Sequence, residues 1–494
     1  MRVVPQLDTY PRMVRFGQTA LGRAVLLVAF AVGLRLNAGF LYPHAWQELT
    51  VAVALMTYFP ARRRLLLSLL SALHLLLFHS MWLDSDFLVA LAKAEGQPTD
   101  WTLTALVAGA IAATFLVFLW LFEFIRRART ASMPFVAKRP VLCLVTGYAA
   151  VLAVAASVPL SGTPRVLLWA VLAVVGAHLW FFAYALTDAT TKTADGITLQ
   201  FGALRPFWSS AIDVFTPVPK GAGNLRRIEA RNPNDLSVAQ LKAIKLLIWT
   251  CIITASLHVL QVFVYGAPSH VLSKLGWEIP TLKVPELAVA LQHPVPLYLA
   301  WASVIANFAS RALYITGTGH VIIACCRMAG FNALRNSYRF LYSRTVAEFW
   351  NRFTYYFKEL LVEFFFFPAF TRYFKKNKRF RIFAATMAAA TIGNMIYHFL
   401  KNFAWVAQVG LWRALIGYQE YAFYATALGL AIGISQLRNA DKERIGDDAP
   451  WWRRALAAGS VVSFFALLGI FDQELSYHFG EDLRFFLRLF LIPV

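Results

Sequence analysis

The chain has 494 residues, of which 59% are hydrophobic and only 15% charged, and its mean hydropathy is +0.56. That balance excludes an ordinary soluble globular protein and is the composition of a polytopic membrane protein. The formal net charge of +21 does not point to nucleic acid, because Lys and Arg collect in short loops beside apolar runs, as the positive-inside rule expects.

Backbone groups in hydrocarbon must be hydrogen-bonded internally. The apolar runs are about 20 residues long rather than 10-residue alternating strands, so the sequence predicts an all-α fold and excludes a β-barrel. Hydropathy predicts about eleven spans, at residues 18–38, 46–60, 65–83, 103–125, 140–160, 165–187, 241–266, 296–326, 381–402, 410–436 and 455–472. The expected organisation is an N-terminal bundle of about six spans over 1–187, a basic linker at 188–240, and a core at 241–494 with a motif region at 328–402. The basic start MRVVPQLDTYPRMVRFGQ leads into the first apolar run without a small-residue cleavage site, so that run is expected to be retained as a span.

Loop charge predicts the orientation. Arg62, Arg63 and Arg64, then Arg126, Arg127, Arg129, Lys138 and Arg139, then Lys375, Lys376, Lys378 and Arg379 alternate with loops poor in basic residues. These basic loops are expected on the cytoplasmic side of a cell membrane, with the N-terminus cytoplasmic and the C-terminus outside. Asp84, Asp86, Glu95 and Asp100, and Asp472, Glu474, Glu481 and Asp482 of the C-terminal stretch, then fall in outer loops.

The insert at 188–240 contains Pro206, Pro217, Pro219, a GAG turn at 221–223, and NPNDLSVAQLK, where an Asn or Asp is placed to cap a short helix. It reads either as an anchoring linker or as a donor-binding surface using Arg226, Arg227 and Arg231. The proline-containing stretch 267–295 reads either as a segment lying on the outer surface or as part of an acceptor entrance. Cys143, Cys251, Cys325 and Cys326 have no metal-ligand spacing and read as small membrane-core residues, so no metal is expected.

The residues richest in chemistry lie between Ser343 and Asn402. FWNRFTYYFKELLVEFFFFP sets Arg352, Lys358, Glu359 and Glu363 among aromatics, a composition suited to a membrane interface. An apolar helix follows, in which Asn394 and His398 stand four residues apart and so share a face. An ionisable group inside a span is a functional candidate, and a neutral imidazole can serve as a general base. Core packing is the competing reading for His398, as interhelical hydrogen bonding is for Asn394 and Thr354. His320, in TGTGH, reads as a packing residue whose Gly317 and Gly319 permit close contact rather than cradle phosphate, and His74 and His79 read as structural.

This stretch resembles the membrane-bound O-acyltransferase (MBOAT) family, above all its bacterial envelope-modifying members. Phe349, Trp350, Arg352, Phe353, Glu363 and Pro368 fall at the places of the family's motif, preceded by Gly330-Phe331, Ser343 and Glu348, and His398 matches the family's essential histidine. Two positions depart from the pattern: Thr354 stands where relatives carry histidine or asparagine, with Asn351 nearby as a substitute, and Phe399 stands where they carry glycine. The resemblance implies an O-acyltransferase that moves an acyl group to a hydroxyl of an envelope polysaccharide, lipid or similar acceptor. The donor would be an acyl-coenzyme A or acyl-carrier-protein thioester, with no tightly bound cofactor. It implies His398, Asn394, Thr354 and Asn351 as catalytic residues, Trp350, Arg352 and Glu363 as substrate-binding residues, the membrane lipid of a cell inner membrane as surroundings, and an envelope-modification protein as partner. The alternative is a catalytically weakened member acting as a transporter or scaffold, to which the Thr354 departure gives weight.

Overall fold

The computed structural model describes residues 4–77, 85–128, 135–191, 196–208, 220–263, 296–441 and 448–492. The stretch 267–295 and His79, both read above, lie outside the described residues. Helices make the fold. Among the described residues the strand-like pairing is an isolated antiparallel bridge between Glu229 and Phe331.

Among the described residues six helices are long and apolar enough to cross a membrane: Trp101–Ala128, Pro140–Ser157, Gly162–Ala189, Pro233–Val262, Lys378–Lys401 and Trp451–Phe471. A seventh is counted if Pro11–Gln18 and Ala20–Leu36, bent by 99° at their junction, form one span. The apolar runs at Ala45–Tyr58 and Arg63–Leu77 fold as helices of 14 and 15 residues. At about 1.5 Å per residue they reach little more than about 20 Å, short of the ~30 Å hydrocarbon layer. Leu297–Met328 is longer, at 32 residues, but carries Arg311, His320 and Arg327. Helix Trp101–Ala128 presents Trp101, Leu116, Val117 and Trp120 on its exterior, an apolar outer face that suits lipid and not water. The chain is a helical membrane protein.

The described fold divides into two compact units, Met1–Ile248 with Val321–Leu334 and Phe399–Ala414, and Trp249–His320 with Arg335–His398 and Leu415–Val494. In the first unit, Gly162–Ala189 is the central helix, with Trp180, Phe182 and Tyr184 all buried. Phe118 packs on Phe182 at 4.2 Å between centroids, and the Tyr148 hydroxyl donates to the Leu172 carbonyl at 2.7 Å. Buried His178 donates through Nδ1 to the Val174 carbonyl (2.8 Å), which leaves Nε2 to accept from Arg205 at 2.9 Å. Burial lowers the Arg205 guanidinium to about 10. His74 meets Glu48 at 3.0 Å, so that histidine sits in a buried polar pair. No disulfide joins any of the four cysteines, and Cys325 and Cys326 are buried.

The insert is partly helical. The GAG sequence opens a helix, Gly221–Ile228, rather than a turn. Asn232 accepts the Asp235 N–H at 2.8 Å, as a capping residue does. The helix it caps runs for 31 residues, Pro233–Phe263, because the apolar face of SVAQLK continues directly into the following apolar run. Arg227 and Arg231 are exposed and Arg226 is half-buried.

The Gly330-Phe331 pair has a local physical reason. Helix Leu297–Met328 ends in a Schellman motif: Phe331 N donates to the Cys326 carbonyl (3.0 Å) and Gly330 N to the Arg327 carbonyl (3.0 Å). Gly330 holds φ +94° and its missing side chain leaves room for the Arg63 guanidinium, whose carbon would lie 2.8 Å from an added Cβ. Arg63 in turn donates to the Ala230 carbonyl at 2.9 Å. Gly330→Ala is therefore expected to destabilise the protein by about 1–2 kcal/mol, read as a lower thermal unfolding midpoint in detergent, with the Arg63 contact displaced.

Candidate functional site

The second unit is packed around Phe349, which is 1% exposed and stacks on Phe465 at 3.8 Å. Phe340, Leu428, Ile432 and Val461 complete that cluster. The helix bearing Phe349, Val346–Phe353, is capped by Thr345, whose hydroxyl accepts the Glu348 N–H at 3.1 Å. Glu348 returns a carboxylate oxygen to the Arg344 N–H at 2.7 Å and pairs with Arg352 at 2.5 Å. Glu348 is thus explained by capping.

The expected single amphipathic segment is instead four consecutive pieces: Val346–Phe353, Tyr355–Leu361, a π-helical turn Val362–Phe366, and Phe367–Arg372. Thr354 is the break between the first two, and it is buried. The strand of chain Asn336–Tyr338 pins this break: Tyr338 N donates to the Arg352 carbonyl (2.8 Å), Tyr355 N to the Asn336 carbonyl (2.8 Å), and Tyr356 N to Asn336 Oδ1 (3.3 Å). An added Cβ on Gly319 would lie 3.0 Å from the Asn336 amide, so Gly319 serves close packing.

Helix Lys378–Lys401 contains a second π-helical turn, Ala388–Gly393, directly before Asn394. A Cβ at Gly393 would stand 2.6 Å from the Phe365 ring, so glycine lets that aromatic lie flat on the helix. Single π turns rotate the residues that follow them and recur at functional positions.

One turn on, His398 is buried, and its Nδ1 lies 2.5 Å from Glu474 Oε1. Its ring is walled by aromatics: Tyr421 at 4.5 Å, Tyr397 at 5.4 Å and Phe357 at 5.8 Å, edge to face. The Tyr421 hydroxyl donates to Asn394 Oδ1 at 3.0 Å, and the Tyr418 hydroxyl to the His398 carbonyl at 3.0 Å. Asn394 and His398 share a face and a common partner in Tyr421. Phe357 also meets Trp350, edge to face at 6.1 Å, which links the motif tryptophan to the imidazole through one ring. Asn351 is exposed, Arg352 is held by Glu348, and Glu363 lies half-buried in the first π turn.

Glu474 is the functional partner that sequence reading missed. Asp472, Glu474, Glu481 and Asp482 read as solvated outer-loop acids, yet Glu474 is on the imidazole and Asp482 is 1% exposed. Segment 472–478 is shaped to deliver that carboxylate. Arg311 clasps its start through the Asp472 carboxylate (2.9 Å) and carbonyl (3.0 Å), and Leu475 adopts φ +61°, a left-handed conformation that costs about 1–2 kcal/mol. The signal in the sequence was an acidic pair in an apolar setting, GIFDQELSY. No spacing rule links it to a histidine 76 residues away.

No group of three or more His, Cys, Asp or Glu that would hold a metal ion occurs among the described residues. What the arrangement offers is an oriented imidazole: with Nδ1–H given to a carboxylate, the lone pair lies on Nε2. Asn394, with Oδ1 engaged by Tyr421, keeps its amide hydrogens for another acceptor.

A scan of protein-family models finds none that matches the chain, and a search of curated proteins finds no relative.

Tyr421→Phe removes the donor from buried Asn394. It is expected to cost about 1–3 kcal/mol, measured as a lower thermal midpoint, while Tyr424→Phe in the same helix, as a control, costs less.

Proposed function

We propose that the protein is a membrane-embedded O-acyltransferase of the MBOAT kind, with His398 as general base. The observation that carries the reading is the contact between His398 Nδ1 and Glu474, on the one histidine that coincides with the family's motif. A carboxylate on Nδ1–H fixes the tautomer, aims Nε2, and stabilises the imidazolium that forms when Nε2 takes a proton.

The reaction follows from those groups. Nε2 takes the proton of the acceptor hydroxyl as its oxygen attacks the thioester carbonyl carbon. The carbonyl electrons move to oxygen, where the Asn394 amide is available to donate. Collapse of that intermediate breaks the carbon–sulfur bond, and the departing sulfur takes the proton from the imidazolium. Aromatics around the ring exclude water, which would otherwise compete as acceptor. Thr354, buried at the break before Phe357, supports the site's shape and cannot titrate near neutral pH.

In this reading the short helices Ala45–Tyr58 and Arg63–Leu77 belong to an eleven-segment MBOAT-like bundle. The basic loops face the cytoplasm of a cell inner membrane and attract the anionic acyl-coenzyme A or acyl-carrier-protein donor. His398, near the outer end of its helix, meets an acceptor hydroxyl arriving from the far side, on an envelope polysaccharide or lipid.

The test is transfer of labelled acyl thioester in membranes containing the full chain. His398→Ala is expected to abolish transfer. Glu474→Gln is expected to lower kcat by about 100-fold or more, with KM little changed, because the amide orients the ring without stabilising its charge. Normal transfer by His398→Ala removes the base assignment, and no transfer by the wild type under any donor favours a transporter or scaffold built on the same fold.

A further inference from the structure

The segment that carries Glu474 also meets a second pair of acids that the reaction does not use. Glu420 and Asp482 are 0% and 1% exposed, and their carboxyl groups lie within hydrogen-bonding reach of each other. Glu420 Oε1 is fully engaged: it accepts the Ser476 hydroxyl at 2.6 Å and the His478 N–H at 3.0 Å. Asp482 Oδ2 takes the Gln473 amide at 3.5 Å. The two remaining oxygens, Glu420 Oε2 and Asp482 Oδ1, are buried without a donor among the described residues. Two buried oxygens that each lack a donor, on acids that touch, are explained together by one proton between them.

We propose that Glu420 and Asp482 share a single proton and are positioning residues, clamping the segment that carries Glu474 onto His398. The far end of that segment is fastened through this pair and beside it: Ser476 and His478 bond to Glu420, Ser476 N donates to the Gly417 carbonyl at 3.0 Å, and Asp482 N donates to the His478 carbonyl at 3.0 Å. Arg311, which holds the near end, is committed to Asp472. With the proton in place the pair carries one negative charge, and the Ser476 hydroxyl and His478 amide stabilise it. Without the proton, two charges repel across a buried contact and the clamp opens.

The surroundings keep the proton on. Burial, then Glu420 on helix Gln419–Asp441, then Glu481 on its own helix push the Asp482 carboxyl up from 3.8 to about 8. His478, whose N–H bonds to Glu420, has its ring 3.8 Å from the Glu481 carboxylate. Because the folded pKa is raised, the stabilisation is complete below 3.8, declines as pH rises, and is gone above about 8.

The importance of the clamp for acyl transfer rests on the proposed function, and the test separates the two. Full-length protein in detergent micelles is compared with Asp482→Asn and Glu420→Ala. Asp482→Asn supplies a permanent donor to Glu420 Oε2 and an acceptor to Gln473. Its thermal midpoint is expected to lose the decline that the wild type shows between about pH 4 and about pH 8. The infrared band of a buried protonated carboxyl, present in the wild type at neutral pH, is expected to be missing from it. Asp482→Asn keeps acyl transfer, whereas Glu420→Ala lowers kcat by about tenfold or more with KM little changed. Absence of that band from the wild type, a pH slope retained in Asp482→Asn, or a midpoint raised by added calcium or magnesium overturns the shared proton, the last by making the pair a cation site. The midpoint and the infrared band need no substrate, so failure of the acyl-transfer reading leaves them standing as the measure of the clamp.

Discussion

A carboxylate brought onto a buried imidazole is the contact on which the site depends. His398 lies in an apolar helix and among three aromatic rings, where an unaccompanied ring nitrogen would be left without a partner. Glu474 answers that need, but it cannot reach the ring from a helix. It arrives on a short irregular segment that requires a left-handed Leu475, and such backbone is tolerated within a membrane protein only where other polar groups satisfy it. Arg311 at one end and Glu420 at the other do so. A hydrogen bond to a charged group is worth about 1.5–3 kcal/mol, of the order needed to hold the segment in a conformation that its own preferences oppose.

The helices around the site are adjusted to the same end. Two π-helical turns, Val362–Phe366 and Ala388–Gly393, each insert one residue into an otherwise regular helix. The second sits directly before Asn394 and rotates Asn394 and His398 together, so their spacing of four is preserved while their direction changes. Close packing accompanies the turns. Gly429 meets Thr391 and Met387, and Gly433 meets the Phe383 ring, each where a Cβ would lie nearer than 3.0 Å to the first atom it met. Small residues at helix contacts compensate for the weak apolar driving force between helices in lipid.

The all-helical class and the shared face of Asn394 and His398 were legible because they rest on local pattern: apolar run length, and a spacing of four. The Schellman glycine was legible as a motif position, although its reason, a φ of +94° beside Arg63, appears only in three dimensions. Span length was less legible, because hydropathy marks an apolar run without saying whether its helix is 14 or 28 residues long. Glu474, Tyr421 and Glu420 were not legible as site residues. Their roles depend on separations of 76, 27 and 56 residues from the groups they meet, and a Glu in a C-terminal loop looks the same in sequence whether it faces water or an imidazole. The positive-inside rule counts Lys and Arg, and it carries no information about acids.

Thr354 sharpens what that leaves for the chemistry. Thr354, which stands where the resemblance calls for histidine or asparagine, cannot titrate near neutral pH and lies at a backbone break that Asn336 and Tyr338 fasten from the other side. If a second titrating group were essential to the reaction, the described structure would have to supply it elsewhere near His398. Glu474 is spoken for by Nδ1, and Asn394 and Tyr421 are bonded to each other. What remains is one base with an orienting carboxylate and one amide donor. A single imidazole that removes a proton from the attacking hydroxyl and returns it to the departing thiol suffices for transfer between a thioester and an alcohol, because thiolate is a good leaving group and the proton needs only one carrier. Under the proposed function, the Thr354 departure bears on the shape of the site more than on whether the reaction can proceed.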